Sequence, residues 1–309
     1  MFVVCGEALM DVFAGADTPT GIALDARVGG SPYNLAVGLV RLGQPAAFFG
    51  ALSRGHLGER LIRGLRDEGV QTASVTRVDA PTTLSLVELD AQGVPTYAFY
   101  GNGGADRQLE IGALGLLPTQ IRAVHVGSYA MVVEPIAGTL RALVEREHCG
   151  TPICYDPNVR LNVEPDLARW RDTLQWMLSR THLLKISEED LALLLPRVGL
   201  QQFAEGALAQ GVRLVVVTRG ASGALAWAGP VPESVPAVTV PVVDTVGAGD
   251  TFQAALLTWL AEHRCLSIEA LGAMRAAQLR EALQFAVRAA AITCSRRGAD
   301  LPRRNELGR

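Results

Sequence analysis

Short runs of consecutive apolar residues recur along the chain, and longer stretches with apolar positions three and four apart follow them. Phe2–Cys5, Ala46–Gly50, Ala123–Val126, Ile153–Tyr155, His182–Lys185 and Leu214–Thr218 have the length and composition of short strands. Asn34–Leu42, Leu57–Glu68, Ile136–Glu147, Leu167–Leu178 and Leu200–Gln210 carry the helical period. Runs that are apolar at every position, rather than at alternate ones, belong to strands covered on both faces. Strand, helix, strand repeated in this way predicts an α/β fold, a three-layer α/β/α sandwich around a mainly parallel sheet. Ligands of such sheets sit beyond the carboxyl ends of the strands.

Two stretches break the rhythm. One is Met10–Gly29. The other is Thr82–Tyr100, where Thr83–Leu89 and Val94–Tyr100 alternate on either side of Asp90-Ala91-Gln92-Gly93, the pattern of a hairpin. Antiparallel strands interrupting an α/β chain predict a small second sheet, a lid built from strands within about residues 10–29 and 82–101. With no internal repeat or Pro-rich linker, residues 1–309 read as one domain carrying that lid.

Composition narrows the picture. Hydrophobic residues make up 49% and aromatic ones only 6%, so the core is aliphatic and large enough to need no disulfides. A net charge of −3 argues against broad nucleic-acid binding. Five scattered cysteines without a C-x-x-C pair, no basic leader and no apolar run of membrane-spanning length predict a cytoplasmic protein that needs no membrane. The five histidines form no zinc-type cluster. Among 28 basic residues Lys185 is the only lysine, and no phosphate loop of the G-x-x-x-x-G-K type surrounds it.

The segment with most chemical content is Val243-Asp244-Thr245-Val246-Gly247-Ala248-Gly249-Asp250-Thr251-Phe252. A strand-like approach, Ala237–Val243, leads into it, and a helical run, Thr251–Ala261, leaves it. A Gly-Ala-Gly turn opening a helix leaves several N–H groups free, an anion site suited to phosphate. Asp250 at its mouth could accept the proton of an attacking hydroxyl, though the same helix end is expected to lower its pKa. Taken alone, the tetrapeptide reads equally well as a helix cap.

The ordered set of motifs resembles the ribokinase-like, or PfkB-type, carbohydrate kinases. Asp244–Leu257 (DTVGAGDTFQAALL) is similar to their C-terminal signature, and Gly29-Gly30-Ser31-Pro32-Tyr33-Asn34-Leu35-Ala36 to their N-terminal one. Gly6-Glu7-Ala8-Leu9-Met10-Asp11, Asp156-Pro157-Asn158-Val159-Arg160 and Thr218-Arg219-Gly220-Ala221-Ser222-Gly223 extend the likeness along the chain. The resemblance implies ATP-dependent phosphorylation of a sugar hydroxyl, with Mg2+ and in some relatives K+. Asp250 would be the base, and the amides of Gly247, Ala248 and Gly249 the anion hole. Asp11, Gly30 and Asn34 would hold the sugar. Arg160, just past a strand end, is a cation for phosphate or substrate oxygens. Thr218, Gly220 and Gly223 would line the nucleotide site. Asp244, Val246 and Gly298 resemble a monovalent-cation site.

The chain also departs from the family pattern. Ser187-Glu188-Glu189-Asp190 stands where N-x-x-E is usual, so Ser187 and Asp190 would reach Mg2+ through water. Ser53-Arg54-Gly55-His56-Leu57-Gly58 lacks the paired acids of many relatives, and Phe99-Tyr100 is followed by Gly101 rather than arginine. The opening Gly-Glu-Ala-Leu-Met-Asp resembles the fructokinase and 2-keto-3-deoxygluconate kinase branches. Gly-Gly-Ser-Pro-Tyr-Asn favours the former, and with it fructose. The other readings are the keto-deoxy-gluconate enzyme and a non-catalytic sugar- or nucleotide-binding regulator on the same fold. A dinucleotide-binding dehydrogenase lacks its G-x-G-x-x-G after the first strand. A lid with an apolar outer face would invite a homodimer.

Overall fold

The computed structural model describes residues 1–89 and 95–308. The first strand β1 (Phe2–Cys5) runs out into β2 (Leu9–Thr18) and β3 (Gly21–Gly29). The chain returns through α1 (Ser31–Arg41), β4 (Ala46–Ser53), α2 (His56–Asp67) and β5 (Val75–Val78). A second excursion forms β6 (Leu84–Leu89) and β7 (Pro95–Tyr100). Then follow β8 (Ala123–Gly127), α3 (Ile136–Glu147), β9 (Ile153–Asp156), α4 (Leu167–Leu178), β10 (Leu183–Ser187), α5 (Glu188–Leu194), α6 (Leu200–Ala209) and β11 (Leu214–Thr218). Strands β12 (Ala224–Trp227) and β13 (Glu233–Val235) precede the closing helices α7 (Ala248–Glu262), α8 (Ile268–Gly272) and α9 (Ala276–Cys294).

The large sheet has the order β13-β12-β11-β10-β9-β8-β1-β4-β5. Every pairing from β11 to β5 is parallel, and only β12 and β13 add antiparallel strands at one edge. Alternation along each strand divides the core in two. In β1, Phe2 and Val4 face one cluster with α1, α7 and α9, while Val3 and Cys5 face the other with α3, α4 and α6. The three expected layers are present.

The lid is a separate sheet of order β3-β2-β6-β7, in which β2 pairs antiparallel with β3 and parallel with β6. Its two excursions fall where the alternating patterns predict, and β6 pairs antiparallel with β7. The expected turn Asp90-Ala91-Gln92-Gly93 lies outside the described residues.

Two expectations need correction. Residues 237–243 form no strand; Pro236 and Pro241 supply no N–H to a ladder, and Val238, Val242 and Val243 are exposed. The helix expected from Thr251 begins at Ala248, so Asp250 lies within its first turn. Gly247 makes that earlier start possible. As N-cap it adopts φ 78°, and a Cβ there would come within 2.6 Å of the Ala299 Cβ.

Candidate active site

A cavity of about 790 Å³ opens between the carboxyl ends of the parallel strands and the lid. Three elements converge there: the end of β1 with β2, the start of α1, and the start of α7. Gly30 caps α1 with φ 107°, and a Cβ there would meet the Glu7 carbonyl oxygen at 2.8 Å. Only glycine lets α1 begin this close to β1, which brings Ser31 and Asn34 up to α7.

Asp250 is held from α1. Ser31 Oγ donates to its Oδ1 at 2.6 Å and Asn34 Nδ2 to its Oδ2 at 2.8 Å. Those bonds lower its pKa, as does the charge of Lys185, but burial is the larger effect and the net direction is upward. The expected lowering by the helix end is thus overturned by desolvation. Around the α7 start, Ala248 N–H donates to Thr245 O at 3.2 Å, while Gly247 and Gly249 have no backbone acceptor among the described residues. Of the three amides expected to form the anion hole, Ala248 is therefore already engaged.

Lys185 is the cation that sequence reasoning passed over. It projects from β10 beneath the turn, and a Cβ on Gly249 would lie 3.3 Å from its Nζ. Its ammonium donates to Asp156 Oδ2 at 2.7 Å, with both side chains almost fully buried. Burial is the largest single effect and opposes its charge, but Asp156, Asp190 and Asp250 together outweigh it and the pKa is raised, so Lys185 stays protonated. The signal was present: it is the one lysine where every other basic residue is arginine.

Asp11 sits in β2 opposite Arg27 of β3 and Ser85 of β6, and it lines the cavity. Burial pushes its carboxyl up to about 6, against the neighbouring Ser85 hydroxyl and the Arg160 charge, with Asp250 adding to the rise. Arg160 also lines the cavity; its Nη1 donates to Val159 O at 2.9 Å. Asn158 beside it takes φ 42°, a left-handed conformation uncommon outside glycine. Glu7, Ser128 and Tyr129 line the same cavity, and no role was expected of them.

The remaining expected residues lie around this centre. Ser187 caps α5, its Oγ accepting from Asp190 N at 3.0 Å, so its hydroxyl is committed to the helix. Asp190 is raised by burial and by Asp156, against Lys185 and Arg160. Asp244 acts as a clasp: Oδ1 accepts from Val246 N at 3.0 Å and Oδ2 from Gly298 N at 2.8 Å, which brings the three expected cation-site residues together. Thr218, Gly220 and Gly223 stand at the end of β11, outside the cavity lining. Gly223 is buried, and a Cβ there would meet Val235 O at 2.0 Å, so it closes the turn into β12. Among the described residues no cluster of three His, Cys, Asp or Glu side chains could hold a metal by itself.

The chain is similar to known proteins over nearly its whole length. The pfkB family carbohydrate kinases match residues 1–305. A fructokinase from Rhizobium leguminosarum bv. trifolii is 35% identical over 264 residues, covering 84% of this chain and 79% of that one. The crystal structure of fructokinase from Vibrio cholerae O395, with fructose, ADP and calcium ion bound, superposes with a TM-score of 0.83 at 25% identity, covering 99% and 97% of the two chains. That of Xylella fastidiosa fructokinase with bound ATP gives 0.82 at 26% identity, covering 99% and 96%.

Proposed function

The chain belongs to the pfkB family of carbohydrate kinases, and on that premise we propose that it transfers the γ-phosphoryl group of ATP to the 6-hydroxyl of fructose. The observation that carries the reading is Asp250, a carboxylate in the first turn of α7, tethered by α1 and facing the cavity that Asp11 lines from the lid. Similarity to fructokinases across most of the chain supports fructose over the keto-deoxy-gluconate alternative. A non-catalytic regulator would have no need of this base.

In the proposed reaction Asp11, Gly30, Asn34 and Arg160 hold the sugar. The hydroxyl oxygen attacks the γ-phosphorus as the bond to the bridging oxygen of ADP breaks, and its proton passes to Asp250. Burial suits Asp250 to that task, because a raised carboxylate pKa brings it nearer neutral pH. The free amides of Gly247 and Gly249, with Ala248 completing the turn, receive the transferring group. Lys185 places a fixed positive charge under it. Thr218 and Gly220 would border the nucleotide, with Gly223 shaping their turn.

Asp190 and Oδ1 of Asp156, unpartnered among the described residues, are acceptors that suit a hydrated Mg2+, with Ser187 orienting Asp190. That ion would neutralise charge on the β- and γ-phosphates. Lone pairs left on Asp244, with the Val246 and Gly298 backbone, suit K+ beside the anion hole. The test is ADP release coupled to a sugar panel, with fructose 6-phosphate identified directly. Turnover should require Mg2+ and fall when K+ is replaced by a bulky organic cation at equal ionic strength. Sugar-independent ADP release would reject the reading.

No helix of the described residues is long and apolar enough to cross a membrane, which supports the proposal of a cytoplasmic enzyme. Residues 1–309 would act as one catalytic unit, with the lid as an excursion from it. Ile22 and Leu24 expose apolar surface on β3, which supports pairing of two copies through the lid.

A further inference from the structure

The mechanism leaves one buried pair unused. Glu7 follows β1 and Ser128 follows β8, neighbouring strands, and each is only 2% exposed. Both line the cavity, and Glu7 Oε2 and Ser128 Oγ make no well-formed hydrogen bond among the described residues, although the Ser128 hydroxyl lies near enough to Glu7 to favour its charged form. Buried polar atoms left unpaired are costly and rare, so these need an explanation. Ser128 also holds φ 55°, a left-handed backbone that a β-hydroxyl residue seldom adopts, and such strain collects at binding sites. The neighbouring acid differs. Asp106 accepts from the Thr83 hydroxyl and from Tyr129 Oη at 2.9 Å, so its carboxylate is satisfied by protein alone.

We propose that Glu7 and Ser128 form a specificity-determining subsite that reads a second hydroxyl of the sugar, distinct from the one delivered to Asp250. A sugar hydroxyl both donates and accepts, and it would pair the two orphaned oxygens at once. Burial pushes the Glu7 carboxyl up to about 8, with Asp106 adding to the rise and Ser128 and Arg160 opposing it. Near neutral pH Glu7 is therefore mostly a neutral acid, able to donate its O–H as well as accept. Tyr129 is also raised by burial and by Asp106 and Glu7, so no further charge develops on that wall. The subsite rests on the sugar-kinase reading above, and it predicts that selection among sugars depends on a residue pair outside the phosphoryl-transfer machinery.

The test pairs variants with substrates. Wild type, Glu7→Gln, Glu7→Ala and Ser128→Ala are assayed at saturating ATP with fructose and with its analogues lacking one hydroxyl at C1, C2, C3 or C4. Glu7→Ala should raise KM for fructose on the order of 10- to 100-fold, because the buried partner groups are then left unpaired. Its kcat and its KM for ATP should stay within about threefold, as for loss of uniform ground-state binding. Glu7→Gln, a neutral donor and acceptor of the same length, should restore most of the loss. One deoxy analogue, already poor with wild type, should suffer no further loss from Glu7→Ala. An unchanged KM, or an equal penalty on every analogue, would overturn the subsite and leave a buried water as the partner of these atoms. Should Glu7→Ala fail to fold, the same comparison between Ser128→Ala and wild type decides. If wild type turns over another sugar of the panel but not fructose, the proposed substrate fails, and the subsite is judged on that sugar's deoxy series.

Discussion

At the residue scale, the site is a group of carboxylates whose surroundings set them apart. Asp250 and Asp11 share one cavity and both are raised by burial, but their tasks need opposite things. A base profits from the rise; a sugar ligand must be ionised to accept two hydroxyl bonds. With its folded value near 6, Asp11 gains its charge only as pH climbs through that point. Accordingly kcat/KM for the sugar should rise with pH through an apparent pKa near 6, since that ratio reports groups of the free enzyme. In Asp11→Asn the limb near 6 should vanish, with sugar binding weakened by about 2–4 kcal/mol on the scale of two charge-assisted hydrogen bonds. A limb that persists unchanged in the variant would assign it to another group.

At the element scale, sequence and structure agree where burial enforces a pattern. Strands such as Phe2–Cys5 and Leu214–Thr218 are legible because both faces are covered, which leaves no polar position to confuse the reading. Helices Ile136–Glu147 and Leu167–Leu178 fall where the helical period places them. Helix α9 is not predicted by the pattern, since its many alanines blur the boundary between apolar and polar faces. The tethering of Asp250 by Ser31 and Asn34 joins residues 219 and 216 apart in sequence, and no local spacing announces it. The same holds for the Lys185–Asp156 pair, which links β10 to β9 within the buried sheet. Removing one partner of such a pair leaves the other charge uncompensated, so Lys185→Met should destabilise the fold by about 3–5 kcal/mol. Denaturant titration measures this directly, and a loss below about 1 kcal/mol, the range of surface pairs, would refute it.

For the whole molecule, the lid matters twice. Strand β2 carries Asp11 into the cavity, while β3 turns Ile22 and Leu24 outward with fractional exposures of 59% and 60%. Two copies joined through these faces would hold each lid over its own cavity. Leu24→Glu should therefore yield a monomer by sedimentation with a raised KM for the sugar. Wild type sedimenting as a monomer at micromolar concentration would dismiss the dimer. The parallel sheet supplies the other half of the site, because the ends of β9 and β10 carry the Asp156–Lys185 pair, with Lys185 beneath the start of α7. The central claim, that this convergence performs sugar phosphorylation through Asp250, is tested most directly by comparing wild type with Asp250→Asn. Wild type should convert fructose and ATP to fructose 6-phosphate and ADP. Asp250→Asn should bind both fructose and a non-hydrolysable ATP analogue, yet turn over about 10²- to 10⁴-fold more slowly. A variant that keeps more than about half of the wild-type kcat, far above the loss typical of a missing general base, would contradict the account.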